Sequence, residues 1–276
     1  MSISALWFDN PVSFTMNRPL VVKLGGAILD KPSALSALME QLAKLQANHR
    51  EGLILVHGGG CEVDRFLAAR GWQSEKYQGL RKTPDEHLDY VVAVLAGLVN
   101  KRLLGLSRKA GLSATGLCLA DGGMVDTAIT SATAPLGRVG AATPADPELA
   151  ITLLNNGYML IISSIGIDTQ GQCLNINADQ AAAAVAQLVQ ASRLILLTDQ
   201  PGVLDRQGQL LNHLSAEQVM ALIDQQVIVG GMVPKVKAAL TTARQLKQGV
   251  VIAGWQQPEC LLALAQGQIL GTLVTP

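Results

Sequence analysis

Five short apolar runs recur along the chain: LVVKLGG from Leu20, GLILVHGGG from Gly52, YMLIISSIG from Tyr158, RLILLTDQPG from Arg193 and GVVIAG from Gly249. Each is about a strand long, rich in Val, Ile and Leu, and without polar alternation. Most lead through glycine into helical sequence. Strands buried on both faces read this way. The pattern predicts an α/β fold, a mainly parallel sheet with helices packed against it.

The helical stretches carry start and stop signals. The longest begins at TPDE, with Thr83 as N-cap, Pro84 at the first helical position and Glu86 completing a capping box, and it ends after basic residues at Gly111. ADPELAITLLNNG repeats the logic, with Asp146 as cap and Gly157 as stop. Ser215 and Gln218 have capping-box spacing, and a further helix runs from near Pro234 to Gly249. Between Ala114 and Pro144 there are short β-like pieces and turn residues but no helical period, which predicts hairpins. No repeat, low-complexity linker or charge run divides the chain.

Composition narrows the function. The 276 residues are 49% hydrophobic and carry a formal net charge of +0, enough for a substantial core but offering no basic field for a polyanion. Aromatic residues make up only 3%, so base-stacking platforms are poorly supplied. Nucleic acid is therefore not an expected partner. Cys61, Cys118, Cys173 and Cys260 are too widely spaced for a metal-ligand pair or a compact disulfide framework, so no metal site is expected and a reducing cytoplasm is. No uninterrupted apolar run spans a membrane, and no Lys or Arg precedes Arg18 to form a signal n-region.

Candidate chemistry gathers where strands run out into glycine. Lys23 sits at the end of a β-branched run ahead of Gly25 and Gly26, as a snorkelling lysine or as a cation beside a ligand. His57 precedes Gly58, Gly59 and Gly60 at the start of a helix, where unpaired amides attract anions, although a plain strand-to-helix turn reads the same way. His57 itself reads as structural. Arg81, just before a helix, suits either a surface ion pair or the two-pronged grip of a carboxylate. Asn175, Asn177 and Asp179 alternate into an alanine-rich helix; capping explains Asn177 alone. Asp199 follows a strand, with a turn at Pro201 and Gly202. Lys235 falls in the first turn of its helix, which the helix dipole disfavours unless an anion lies nearby.

Taken in order and spacing, KLGG, HGGG, GLR, NINADQ, LTDQPGVLD and GGMVPKVKAAL closely resemble the acetylglutamate kinases of the amino-acid kinase family, over about Asn17 to the C-terminus. The resemblance implies a three-layer αβα sandwich forming one domain, residues 17–276, with an N lobe (about 17–173) for N-acetyl-L-glutamate and a C lobe (about 174–276) for ATP with Mg²⁺. It implies ATP-dependent phosphorylation of the side-chain carboxylate of N-acetyl-L-glutamate, a step of arginine biosynthesis. Lys23 and Lys235 would stabilise the transition state and Asp179 would position them. Gly59 and Gly60, with Gly26 opposite, would supply amides around the phosphoryl group and substrate, and Arg81 and Asn175 would hold acetylglutamate. Asp199, Gln200, Pro201, Gly202, Val203, Leu204, Val227, Ile228 and Val229 would line the nucleotide site; Val229 stands where many relatives have Thr.

The implied chemistry is coherent. A carboxylate with a pKa of about 4.3 is already ionised at neutral pH, so this nucleophile needs no general base. A loose phosphoryl transition state needs positive charge and amide donors. The alternatives are another small-carboxylate kinase of this fold, such as glutamate 5-kinase or carbamate kinase, or a non-catalytic nucleotide sensor. Residues 1–16, interrupted by Pro11, read as a dispensable extension, and the short relatives imply a homodimer insensitive to arginine.

Overall fold

The computed structural model describes residues 18–48, 52–77, 79–130 and 136–276. The expectations for the extension 1–16 lie outside the described residues. All five apolar runs are strands: β1 (Leu20–Leu24) and β2 (Leu53–His57), with helices α1 (Pro32–Asn48) and α2 (Gly60–Ala68) after them, and three more given below. A small hairpin follows, β3 (Lys76–Tyr77) and β4 (Leu80–Arg81), then α3 (Asp85–Val92), a π-helical segment Ala93–Val99, and α4 (Asn100–Lys109). The middle of the chain supplies β5 (Ala114–Cys118), β6 (Val125–Ile129), β7 (Val139–Pro144), α5 (Glu148–Asn155), β8 (Met159–Ser163), β9 (Ile165–Ile167), β10 (Cys173–Ile176) and α6 (Ala178–Leu188). The remainder is β11 (Arg193–Thr198), β12 (His213–Leu214), α7 (Ala216–Asp224), α8 (Met232–Leu246), β13 (Val250–Gly254), α9 (Cys260–Ala265) and β14 (Thr272–Val274).

Eight strands form the central sheet in the order β12-β14-β13-β11-β1-β2-β8-β5, parallel throughout except where β14 runs against β13. Strand parity sorts its side chains into two layers of core. Val21, Ile54, Val56, Leu194 and Leu196 pack with α6 and α8, whereas Leu20, Val22, Leu24, Leu53 and Leu55 pack with α1, α2 and α4. The result is the expected three-layer αβα sandwich. A second sheet, β6-β7-β10-β9, lies beside it. The hairpin expected between Ala114 and Pro144 is β6–β7, but β5 instead joins β8 as the parallel edge of the main sheet. The lobe boundary expected at residues 173/174 falls inside β10, and β10 pairs with β7 and β9, so Asn175 sits among strands of the N-terminal part.

Most helix ends match the sequence signals. Ser215 and Gln218 form a reciprocal capping box, Asn177 accepts from the Asp179 and Gln180 amides, and the Asp146 carboxylate takes the Glu148 amide at 2.9 Å. The exception is Thr83. Here α3 starts at Asp85 without a side-chain cap, because the buried Thr83 hydroxyl is engaged elsewhere. Among the described residues, the helical run Asp85–Lys109 has the length and apolarity of a membrane span. Its Val91, Val94, Leu95, Val99 and Leu103 are buried in the core.

Candidate active site

The glycine loops meet beyond the C-terminal ends of the parallel strands, the usual crevice of an open α/β sheet. Lys23 shares the parity of Val21, so its side chain leaves β1 on the α6 side. There its ammonium meets Asp179, in the first turn of α6, at 2.8 Å. Both side chains are largely shielded, at 12% and 21% exposure. Thr198 at the end of β11 points the same way, toward α8, and Lys235 donates to its hydroxyl at 2.6 Å and to Asp199 at 3.0 Å. The hydrogen bonds from Lys235 and Thr198 hold the Asp199 carboxyl below its ordinary pKa. Asp199 is thus the anion that makes a lysine tolerable in the first turn of α8. The two lysines have separate carboxylate partners, Asp179 for Lys23 and Asp199 for Lys235.

Opposite them, Gly26 and the Gly58–Gly60 loop come close together. A Cβ on Gly26 would lie 3.5 Å from the Gly60 amide nitrogen, and one on Gly59 would press to 2.9 Å from the Leu95 side chain. A side chain on Gly26 would stand over the amides of the α2 N-terminus that an anion would reach, whereas one on Gly59 would collide with the buried Leu95 and Val99.

Arg81, only 9% exposed, reaches from β4 to the Gly60 carbonyl at 2.9 Å and also bonds Asp64 and Ser74. Burial raises the Asp64 pKa, but the hydrogen bonds from Arg81 and Ser74 outweigh it and leave the carboxyl below its ordinary value. Asn175 donates to the Thr83 hydroxyl at 2.9 Å, which donates onward to the Arg81 carbonyl at 3.2 Å. The threonine read as a helix cap is therefore a strut between the two expected acetylglutamate ligands.

Three adjoining cavities connect these groups. The first, about 290 Å³, is lined by Lys23, Gly26, Gly59, Gly60, Arg81, Asn175 and Asp179, a size suited to a small metabolite. A second shares Lys23, Gly26, Gly60 and Asp179 with the first and adds Thr198, Asp199 and Lys235. A third shares Asp199 and Lys235 with the second and is lined by Gln200, Gly202, Val203, Leu204, Val227, Ile228 and Val229. Pro201 alone of the expected nucleotide set faces elsewhere, toward a cavity formed with Ala253, Gly254 and Leu270. Lys76 lines both the first and second cavities and was not singled out from the sequence, where a lysine in a two-residue strand carries no distinguishing signal. Among the described residues no three His, Cys, Asp or Glu gather as a metal cage.

Known proteins similar to this chain identify its family. The model of the amino acid kinase family matches residues 18–254. An acetylglutamate kinase of Pasteurella multocida is 46% identical over 259 residues, covering 94% of this chain and 100% of that protein. One from Proteus mirabilis is 45% identical, covering 93% and 98%. Among solved structures, smu.665 from Streptococcus mutans superposes with a TM-score of 0.79 at 30% identity, covering 94% of this chain and 99% of that one.

Proposed function

Because the chain belongs to the amino acid kinase family, and within it to the acetylglutamate kinases, we propose that the three-cavity trough transfers the γ-phosphoryl group of ATP to the side-chain carboxylate of N-acetyl-L-glutamate. The observation that carries this reading is the sharing of residues. Lys23 and Asp179 join the acceptor cavity to the middle one, and Lys235 and Asp199 join the middle one to the nucleotide cavity.

In this reading Arg81 and Asn175 hold acetylglutamate, with Thr83 fixing one relative to the other. The γ-phosphoryl group lies in the middle cavity between Lys23 and Lys235. Two anions must meet there, and the ammonium groups with the Gly59 and Gly60 amides offset their repulsion and spread the charge of the loose transition state. Asp179 keeps the Lys23 ammonium aimed into the cavity, and Asp199 with Thr198 does the same for Lys235. The nearby carboxylates are all engaged by cations, which suits Mg²⁺ arriving on the triphosphate rather than in a protein cage. Bound to the nucleotide, Mg²⁺ neutralises phosphate charge.

The reading extends to a homodimer in the cytoplasm. Support comes from the open edge of the main sheet at β5 and the exposed Leu98 beside α4, where a second copy would pack about a two-fold axis, and from the four cysteines, which are all free thiols. Measuring ADP release tests the activity. Turnover is expected with N-acetyl-L-glutamate and not with L-glutamate, whose ammonium would be buried without a partner. Equal turnover of both overturns the assignment.

A further inference from the structure

We propose that His57 is a positioning residue for the transfer: held by Asn100, its imidazole anchors the Gly58 carbonyl and so turns the Gly59 amide hydrogen toward the reacting groups. The proposal rests on the reading of the glycine loop as an anion cradle.

His57 is the last residue of β2 and is fully buried. It shares the parity of Leu53 and Leu55, so its ring enters the layer of α1 and α4 and lines none of the three cavities. There the Asn100 amide nitrogen donates to the Ile161 carbonyl at 2.9 Å and lies 3.1 Å from His57 Nε2. A carbonyl oxygen only accepts, so the Asn100 atom facing it is the nitrogen. The other end agrees, since Asn100 Oδ1 accepts from Lys101 Nζ at 3.1 Å. Nε2 of His57 is then an acceptor, and the ring proton belongs on Nδ1, which donates to the Gly58 carbonyl at 2.9 Å. Gly116 leaves room for this arrangement, because a Cβ there would collide with Asn100 Oδ1. Burial lowers the imidazole pKa to about 4, outweighing the hydrogen bond to Gly58 and helped by the charge of Lys101, so the ring is neutral at physiological pH.

The consequence follows from peptide geometry. In a planar trans unit the carbonyl and the next N–H point in opposite directions. Drawing the Gly58 oxygen back toward Asn100 and α4 therefore sends the Gly59 N–H the opposite way, within a loop whose Gly58, Gly59 and Gly60 all line the acceptor cavity. At the far end of the loop Arg81 draws back the Gly60 carbonyl. Three consecutive glycines have more backbone freedom than any other tripeptide, so their amides stay aimed only if something outside the loop fixes them. A donor displaced by an ångström from a developing charge can cost about 10²-fold in rate.

Two isosteres separate the two ends of the ring. His57→Asn puts an amide donor where Nδ1 stood, keeping the Gly58 contact and losing the one to Asn100. His57→Gln reaches the Nε2 position instead, keeping Asn100 and releasing Gly58. His57→Asn is expected to keep kcat within ~3-fold, whereas His57→Gln loses ~10-fold or more in kcat with the KM for acetylglutamate little changed. Equal losses, or the reverse order, overturn the proposal. Long-range ¹H–¹⁵N spectra of the wild type supply a readout independent of any variant's folding. A neutral His57 ring protonated on Nδ1 is expected throughout the neutral range, and an Nε2-protonated ring overturns the proposal. Wild-type turnover distinguishes the failures: an inactive wild type removes the kinase reading itself, while an active one with an unimpaired His57→Gln removes only the role of His57.

Discussion

The two ends of the trough, assigned to acceptor and nucleotide in the proposed function, are built on different principles. At the acceptor end, side chains are buried and tied to one another: Arg81 is 9% exposed and is linked through Thr83 to Asn175 and directly to Gly60. At the nucleotide end Val203 and Ile228 are buried, but the rim is open. Val229 is 59% exposed, the Asp199 side chain is 52% exposed, and the loops turn on Gly202 and Gly230. Pre-formed polar contacts discriminate, because a wrong ligand leaves a buried group unpaired. An open, aliphatic and backbone-rich surface binds without much selection. The difference suits an enzyme that must tell one small carboxylate from its close analogues yet has one abundant phosphoryl donor.

The largest effects test whether the lysines belong to the middle of the trough rather than to either end. Lys23→Ala and Lys235→Ala are each expected to lower kcat by ~10²-fold or more, as loss of a preorganised transition-state cation does. If steady-state kinetics show the Lys23 loss only in the acetylglutamate KM and the Lys235 loss only in the ATP KM, each lysine serves its own end. A smaller effect belongs to Arg81→Lys. Lysine has no planar fork for a carboxylate, so the acetylglutamate KM should rise ~10-fold with the ATP KM unchanged. A change confined to ATP would break the contrast between the ends. The smallest is Val229→Thr, which installs the hydroxyl that the family resemblance leads one to expect there. At so open a position a hydroxyl should move the ATP KM by less than ~3-fold. A tenfold gain in ATP affinity would mean that the nucleotide end also selects by side chain.

Much of this architecture is legible in the chain because the relevant physics is local. The β-branched runs, the glycines that follow them and the Ser215–Gln218 capping box act over a few residues, and each forms as its pattern predicts. Thr83 shows where local reasoning misleads. Its position before Pro84 and Glu86 satisfies a capping box, but Asn175, remote in sequence, claims the hydroxyl. A buried hydroxyl goes to the partner the fold supplies, and propensity is only a weak prior against it.

The sequence by itself determined that parallel strands end in glycine loops and that Lys23, Asp179, Asp199 and Lys235 stand at those ends, because backbone freedom and side-chain alternation are properties of short segments. Tertiary structure alone decided how the charges pair. It joined Lys23 to Asp179 and Lys235 to Asp199. It also brought Lys76 to the edge of two cavities and set Asn100 behind His57. These contacts join residues far apart in the chain, and sheet order and helix packing, which no short segment encodes, bring their partners within hydrogen-bonding distance.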